Sequence, residues 1–164
     1  KQKLADLYFD TGKYDQAAKN YEDVINLNSD DLSYFTRPLW IYIEKLQNGE
    51  KATALAQKAL EKHAENPMSY NFLGWALLAK KDYNGARENL GKAIQKDPKL
   101  AVAYLNLGRL FEEIHYQSTA KDYYKTAFEL GKGTSIGNSA AEKYNLMTQK
   151  ENTQMKANIL NTKN

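Results

Sequence analysis

The sequence repeats itself at an interval of 34 residues. Leu73-Gly74 recurs as Leu107-Gly108 at this interval. Two series of alanines follow the same period, Ala52, Ala86 and Ala120, and Ala59, Ala93 and Ala127. A period of this length is typical of stacked supersecondary units, because each unit buries its apolar face only against its neighbours. The repeat therefore predicts a solenoid built from successive copies of one unit.

Each repeat reads as two amphipathic helices joined by a polar turn. In the third repeat, residues recur at i, i+3, i+4 and i+7, the spacing of one helical face. These residues are Tyr70, Leu73, Gly74 and Leu77. A second stripe follows the turn and ends before Pro98, which cannot continue a helix. Gly costs a helix interior about 1 kcal/mol relative to Ala, so we interpret Gly74 as a contact point between the paired helices.

The pattern resembles the tetratricopeptide repeat. In the third unit the matching residues are Tyr70, Leu73, Gly74, Leu77, Ala86, Leu90, Ala93 and Pro98, and in the fourth they are Tyr104, Leu107, Gly108, Phe111, Ala120, Tyr124 and Ala127. The first unit is truncated and the second is degenerate, with Trp40 at the small position and Ala56 at the aromatic one. The resemblance implies an all-α, right-handed superhelical solenoid of antiparallel helix pairs with a C-terminal capping helix.

The repeat domain is predicted to cover residues 1–132, with a capping helix and polar tail at 138–164. The units are predicted at about 1–32, 33–66, 67–100 and 101–132. Residues 133–137 read as a loop, and Ser139-x-x-Glu142 predicts a capping box that opens the final helix. Whether the tail from 148 to 164 is helical stays open.

Pro38 falls where the first helix of the second unit should already be running. A helix tolerates proline in its first turn but not in its interior. This helix therefore either starts late, near Thr36, or is kinked at Pro38.

The sequence has no recognisable catalytic or metal-binding pattern. It contains no cysteine, and its two histidines, His63 and His115, have no neighbour at metal-ligand spacing. Nucleophile elbows, phosphate loops and dinucleotide fingerprints are absent from the sequence. We therefore expect no catalytic residue, no metal and no cofactor, and a protein that is not an enzyme.

Charge and hydropathy argue against nucleic-acid partners and a membrane span. The net charge of +3 is small, and the lysines are spread around the helices rather than lined up as a phosphate track. No apolar run approaches the roughly 20 residues that cross a bilayer. The compartment is not identified, although a soluble cytoplasmic protein is favoured. Because the chain begins inside a predicted helix, we expect it to be a fragment.

The resemblance implies that ligands dock on the concave surface lined by the first helix of each unit. Helical geometry selects the positions that point away from the stripe packed on the second helix. These candidate partner-binding residues are Tyr34, Arg37, Ile41, Met68, Asn71, Trp75, Leu78, Val102, Leu105, Arg109 and Glu112. The surface is mainly apolar at its centre, so we expect a hydrophobic or amphipathic peptide segment as its ligand. Trp75 is the leading hot-spot candidate, unless it packs between repeats or under the C-terminal helix.

The predicted function is a non-catalytic scaffold or adaptor for a protein partner. Two alternatives remain open. The chain could be the interaction arm of a larger enzyme, such as a glycosyltransferase, whose catalytic domain lies outside this sequence. It could also be a self-assembling scaffold whose terminal repeats stack or exchange helices.

Overall fold

The computed structural model describes residues 1–28 and 30–161, and within them the regular structure is helical. The chain divides into two compact units, Lys1–Pro98 (unit 1) and Lys99–Asn164 (unit 2). The helices of unit 1 are α1 (Gln2–Asp10), α2 (Tyr14–Leu27), α3 (Thr36–Trp40), α4 (Gly49–Lys62), α5 (Pro67–Ala79) and α6 (Tyr83–Lys96). Those of unit 2 are α7 (Ala101–Glu113), α8 (Gln117–Leu130) and α9 (Ser135–Asn161).

Consecutive helices pack as pairs within each unit. In unit 1, α1 packs on α2 and α5 packs on α6, while α4 also packs on α5. In unit 2, α7 packs on α8, and α9 packs on α8 and α7. The predicted all-α fold of helix pairs is confirmed.

Short polar side chains determine where several helices begin. Asn48 Oδ1 accepts a hydrogen bond from the backbone N–H of Lys51 at 3.0 Å, which caps α4. Asn66 Oδ1 caps α5 in the same way by accepting from the N–H of Met68 at 2.9 Å. Such caps satisfy amide groups that have no partner inside the helix. The polar turns of the repeat therefore set the boundaries of the helices.

The two repeat glycines are the points at which the paired helices come closest. A Cβ atom at Gly74 would lie 2.6 Å from Leu90 Cγ, and one at Gly108 would lie 2.5 Å from Tyr124 Cδ1. Both distances are shorter than van der Waals contact allows. The interpretation of Gly74 as a contact point is confirmed, and Gly108 has the same role in unit 2.

The first helix of the second repeat starts late and changes its winding. A 3₁₀ turn, Leu32–Phe35, precedes α3, which begins at Thr36 with Pro38 in its first turn. The predicted late start is thus confirmed. From Ile41 to Lys45 the backbone continues as a wider π-helical turn.

Trp40 lies directly before the π turn. It occupies the position of Gly74, where the third repeat has no room for a Cβ. Its ring lies 5.4 Å from the Phe9 ring and 6.3 Å from the Tyr14 ring, measured between centroids, so it packs on the first repeat.

The C-terminal helix begins at Ser135, before the predicted capping box. Thr134 Oγ1 caps it by accepting from the N–H of Gly137 at 3.2 Å, so the predicted box at Ser139 and the predicted loop from 135 to 137 are wrong. A Cβ at Gly137 would lie 2.1 Å from the carbonyl oxygen of Gly131, and this contact determines the turn. The helix includes residues 148–161, while residues 162–164 of the predicted tail lie outside the described residues.

Candidate functional site

The first helices of unit 1 lie side by side. Arg37 of α3 forms an ion pair with Asp6 of α1, and α3 also packs on α5. The predicted partner-binding residues of unit 1 therefore come from helices that are neighbours in space. We call the surface formed by Tyr34, Arg37, Met68, Trp75 and Leu78 the first-helix face.

Arg37 links the first repeat to the second at one end of this face. Its Nη1 donates to Asp6 Oδ1 and, at 3.0 Å, to the hydroxyl oxygen of Tyr21. The Tyr21 hydroxyl in turn donates to Asp6 at 2.6 Å. Burial and the bond to Asp6 raise the pKa of Tyr21 despite the nearby guanidinium, so the hydroxyl stays protonated at neutral pH. The guanidinium also lies 5.3 Å from the centroid of the Phe9 ring.

A polar recess of about 260 Å³ adjoins this cluster. It is lined by Gln2, Asp6, Tyr21, Ser33, Tyr34 and Arg37. Tyr34 and Arg37 were predicted from their place on the first helix. Tyr21 comes from the second helix, where the repeat pattern identifies it as a core position, so the sequence carried no signal for its part in the recess.

The apolar part of the first-helix face is on α5. Met68 and Trp75 are half-buried and pack against the core of unit 1, and Leu78 is also half-buried. Met68 and Trp75 are seven residues apart, so they lie on the same side of the helix. Trp75 thus packs against the core and stays partly exposed to solvent.

Three of the predicted residues are buried. Ile41, Asn71 and Leu105 have exposed fractions of 0%, 1% and 2%, so the prediction that their side chains face a partner is wrong. Ile41 opens the π turn, which places it in the core of unit 1. Asn71 Nδ2 donates to Met68 Sδ at 3.5 Å on a helix that packs against α3, α4 and α6. Leu105 shares a core cluster with residues of α9.

The remaining candidates belong to unit 2. Val102 is half-buried, and Arg109 Nη1 donates to Asn106 Oδ1 at 3.4 Å. Glu112 accepts hydrogen bonds from the Tyr124 hydroxyl at 2.6 Å and from Lys143 Nζ at 3.0 Å. Burial raises the pKa of Glu112, but these two bonds and the charge of Lys143 outweigh that effect and lower it. Glu112 therefore joins α7, α8 and α9.

The described part of the chain offers no arrangement typical of metal chemistry or of a membrane span. Within residues 1–28 and 30–161, no group of three or more His, Asp or Glu side chains is placed to hold a metal ion. Nor does any described helix combine the length and the apolar character that crossing a membrane requires.

Comparison with known proteins identifies the repeat. Residues 1–31 match a family model described as "Tetratricopeptide repeat", and residues 74–114 match one described as "TPR repeat". The chain is 31% identical over 142 residues to Tetratricopeptide repeat protein 37 of Xenopus laevis. That alignment covers 82% of this chain but only 9% of the relative, which is a much longer protein.

Several solved structures share the fold. A thermophilic TPR protein of Thermus thermophilus superimposes with a TM-score of 0.70 and 20% identity, covering 89% of this chain and 80% of that one. The pilF protein of Pseudomonas aeruginosa gives a TM-score of 0.66 and 20% identity, with coverages of 92% and 67%. MamA of Desulfovibrio magneticus superimposes with a TM-score of 0.62 and 17% identity, covering 82% of this chain and 75% of that one.

Repeat spacing, glycine contacts, family matches and similar structures all agree. They identify the same kind of repeat along the chain. The chain belongs to the tetratricopeptide repeat family.

Proposed function

We propose that this chain is a non-catalytic scaffold that binds a hydrophobic or amphipathic peptide segment of a protein partner on the first-helix face of unit 1. The bound segment lies across α3 and α5. Its apolar side chains contact Met68, Trp75 and Leu78, and its polar groups reach the recess beside Tyr34 and Arg37.

The partial exposure of Trp75 carries this proposal. A tryptophan that packs on the core and stays partly exposed is anchored, so it loses little conformational entropy when a ligand covers it. Large rigid aromatic side chains are also the commonest hot spots of protein interfaces. Met68 beside it adds a flexible side chain that adapts to the shape of a ligand.

The polar recess supports the same orientation of the ligand. Asp6 and Tyr21 occupy one Nη atom of Arg37, and the arginine side chain keeps a 53% exposed fraction. Guanidinium groups carry several donors in a fixed geometry. The Arg37 guanidinium is therefore held in place and still reaches solvent, which suits a polar contact at the end of an apolar surface.

Tryptophan fluorescence tests the proposal directly, because the chain contains only Trp40 and Trp75. In a Trp40→Phe variant the whole signal reports on Trp75. We expect a synthetic amphipathic peptide with leucines at i, i+4 and i+7 to shift its emission to the blue, and the same peptide with serines there to leave it unchanged. Labelled leucine peptide should bind a Trp75→Ala variant at least about tenfold more weakly than wild type.

A Leu7→Ala variant is the matched control. Leu7 of α1 is 57% exposed and does not belong to the first-helix face, so its truncation should leave the affinity unchanged. Circular dichroism establishes that each variant keeps its helices. Wild-type affinity in Trp75→Ala would rule out the proposed surface. So would a blue shift that depends on protein concentration and not on peptide, because it would indicate self-association.

A further inference from the structure

A second surface of unit 1 lies between the second helices of the first two repeats. A cleft of about 280 Å³ separates α2 from α4. Ile25 of α2 and Leu55 of α4 line it with exposed fractions of 1% and 7%, so its floor is apolar. Ala54 lies exposed beside Leu55. We call this surface the α2–α4 cleft.

Two lysines of α4 line the cleft on either side of Leu55. Lys51 and Lys58 are seven residues apart, which places them about 10 Å apart along one side of the helix. Neither forms an ion pair with a carboxylate among the described residues. Lys58 Nζ donates to the amide oxygen of Asn26 at 2.6 Å, and Lys51 Nζ lies 5.3 Å from the centroid of the Tyr42 ring. Uncharged groups therefore position both ammonium groups without neutralising them.

The carboxylate in the lining of the cleft is bound elsewhere. Glu22 of α2 accepts a hydrogen bond from the hydroxyl of the buried residue Tyr42. Burial and the nearby Glu22 carboxylate raise the pKa of Tyr42, so its hydroxyl remains a donor at neutral pH. Glu22 keeps its negative charge, but it forms no ion pair with Lys51 or Lys58.

The pattern of lysines and leucine is particular to α4. In α6, the second helix of the next repeat, Gly85, Glu88 and Asn89 stand 34 residues after Lys51, Ala54 and Leu55, and only Lys58 has a lysine, Lys92, as its counterpart. The repeat itself therefore does not require an apolar floor between two lysines at this place.

We propose that the α2–α4 cleft binds an acidic peptide segment of a protein partner. An aliphatic side chain of the segment lies over Ile25 and Leu55, and a carboxylate on each side of it pairs with Lys51 or Lys58. Charge complementarity selects this occupant, because two ammonium groups about 10 Å apart without a carboxylate partner favour a ligand with two negative charges at that spacing. The cleft is separate from the first-helix face and its proposal does not rest on Trp75.

A peptide of matched geometry is the probe for this site. It carries Glu at i and i+7 with Leu at i+4, and its partner peptide carries Gln at both Glu positions. Fluorescence anisotropy of the labelled peptides measures affinity, and amide chemical shifts of the ¹⁵N-labelled protein locate the contact. We expect the Glu peptide to bind with shift changes on α2 and α4, and to weaken as salt is added.

Variants of the cleft lysines are compared with variants of lysines outside the cleft. This comparison separates binding at a specific site from general electrostatic attraction to a basic protein. Lys51→Gln combined with Lys58→Gln should weaken binding about tenfold, which lies within the range expected for the loss of two exposed ion pairs. Ala54→Glu should weaken it as much, because it adds a repelling charge at an exposed position. Lys92→Gln with Lys125→Gln removes the same charge from α6 and α8, and Trp75→Ala leaves the charge unchanged. Both controls should bind the Glu peptide like wild type.

Several outcomes would overturn the proposal. The Gln peptide could bind as tightly as the Glu peptide, or the control pair Lys92→Gln and Lys125→Gln could weaken binding as much as the cleft pair. Shift changes on α5 around Trp75 would assign the peptide to the first-helix face instead. Sedimentation showing a dimer that Ala54→Glu disrupts would assign the cleft to a second copy of this chain.

Discussion

The first and the last helix pairs contain the same three-part link made from different residues. Tyr21 and Tyr124 each stand four residues after a buried alanine of the repeat, Ala17 or Ala120. Each tyrosine donates at 2.6 Å to a carboxylate on its own first helix, Asp6 for Tyr21 and Glu112 for Tyr124. A cation from the following helix then pairs with that carboxylate, Arg37 in unit 1 and Lys143 in unit 2.

In this comparison, α9 packs at the end of unit 2 in the role that the first helix of a further repeat would have. Lys143 of α9 reaches back to Glu112 as Arg37 of α3 reaches back to Asp6. The two links differ in their exposure to solvent, since the side chains of Glu112 and Lys143 are 28% and 41% exposed and those of Asp6 and Arg37 are 35% and 53%. Solvent screens exposed ion pairs, so we expect the link in unit 2 to stabilise the fold more.

The largest expected effect comes from breaking the packing beneath the tyrosine of unit 2. A Cβ at Gly108 would lie 2.5 Å from the rigid Tyr124 ring, and one at Gly74 would lie 2.6 Å from Cγ of the buried Leu90 side chain. Gly108→Ala and Gly74→Ala should therefore each lower the free energy of unfolding by about 1–3 kcal/mol. Urea unfolding followed by circular dichroism measures both.

Gly91→Ala is the matched control for the glycine variants. A Cβ there has no atom within 4 Å, so the alanine should raise the free energy of unfolding by about 0.4–1 kcal/mol. If Gly108→Ala were as stable as Gly91→Ala, the close contact between α7 and α8 would be wrong.

Removing each hydroxyl group compares the two links directly. Tyr124→Phe should lower the free energy of unfolding by about 1 kcal/mol, because it removes one hydrogen bond and keeps the ring in place. Tyr21→Phe should have a smaller effect, since Asp6 is closer to solvent and keeps its pair with Arg37. Urea unfolding gives the free energy of unfolding of both variants. An equal decrease in the two variants would contradict the expectation that the less exposed link of unit 2 stabilises the fold more.

Lowering the pH should lower the free energy of unfolding of unit 2, because Glu112 becomes protonated. Its folded-state pKa is lowered from the ordinary value of 4.5, so the stability it contributes is present above that value and is lost as pH falls through the folded-state pKa. Thermal unfolding between pH 7 and pH 3 should show a drop in melting temperature below about pH 4.5 that Glu112→Gln reduces. An unchanged acid drop in Glu112→Gln would show that other carboxylates cause it.

The smallest expected effect concerns a buried serine that has an alanine as its counterpart. Ser69 of α5 is fully buried, and its Oγ has no hydrogen-bond partner among the described residues. Ala103, 34 residues later in unit 2, is equally buried. Ser69→Ala should leave the free energy of unfolding unchanged or raise it by up to about 1 kcal/mol, because an unpaired hydroxyl is costly to bury.

The reverse exchange checks this interpretation. Ala103→Ser should lower the free energy of unfolding by about 1 kcal/mol in the same urea experiment. A clear loss of stability in Ser69→Ala would mean that the hydroxyl has a partner, for example an ordered water molecule.

The sequence predicted the local part of the structure well. The repeat period and the Gly74 contact depend on residues a few turns apart on paired helices, and four copies of the pattern make such a signal visible. Pro38 limited the first helix of the second repeat to a late start or a kink, because the proline ring restricts the backbone wherever it stands, and the structure shows the late start.

The burial of side chains that pack between repeats was harder to predict. Helical geometry predicts that Asn71 and Leu105 point away from their own partner helix and face a ligand, but both side chains are buried. Their burial depends on how adjacent repeats and α9 pack, which the spacing within one helix does not describe. For the same reason Tyr21 was read only as a core residue, and the α2–α4 cleft had no signal in the repeat.

The sequence by itself determined the kind of fold and the family, because periodic glycines, alanines and aromatics specify how one helix packs on its partner. Only the tertiary structure decided which side of each first helix stays open, where α9 begins and which cations meet Asp6 and Glu112. Those outcomes depend on contacts that the repeat pattern does not describe, such as Gly131 against Gly137 in the turn before α9 and Lys143 against Glu112 between two helices. A repeat pattern records what its units share, and these contacts arise where the units differ.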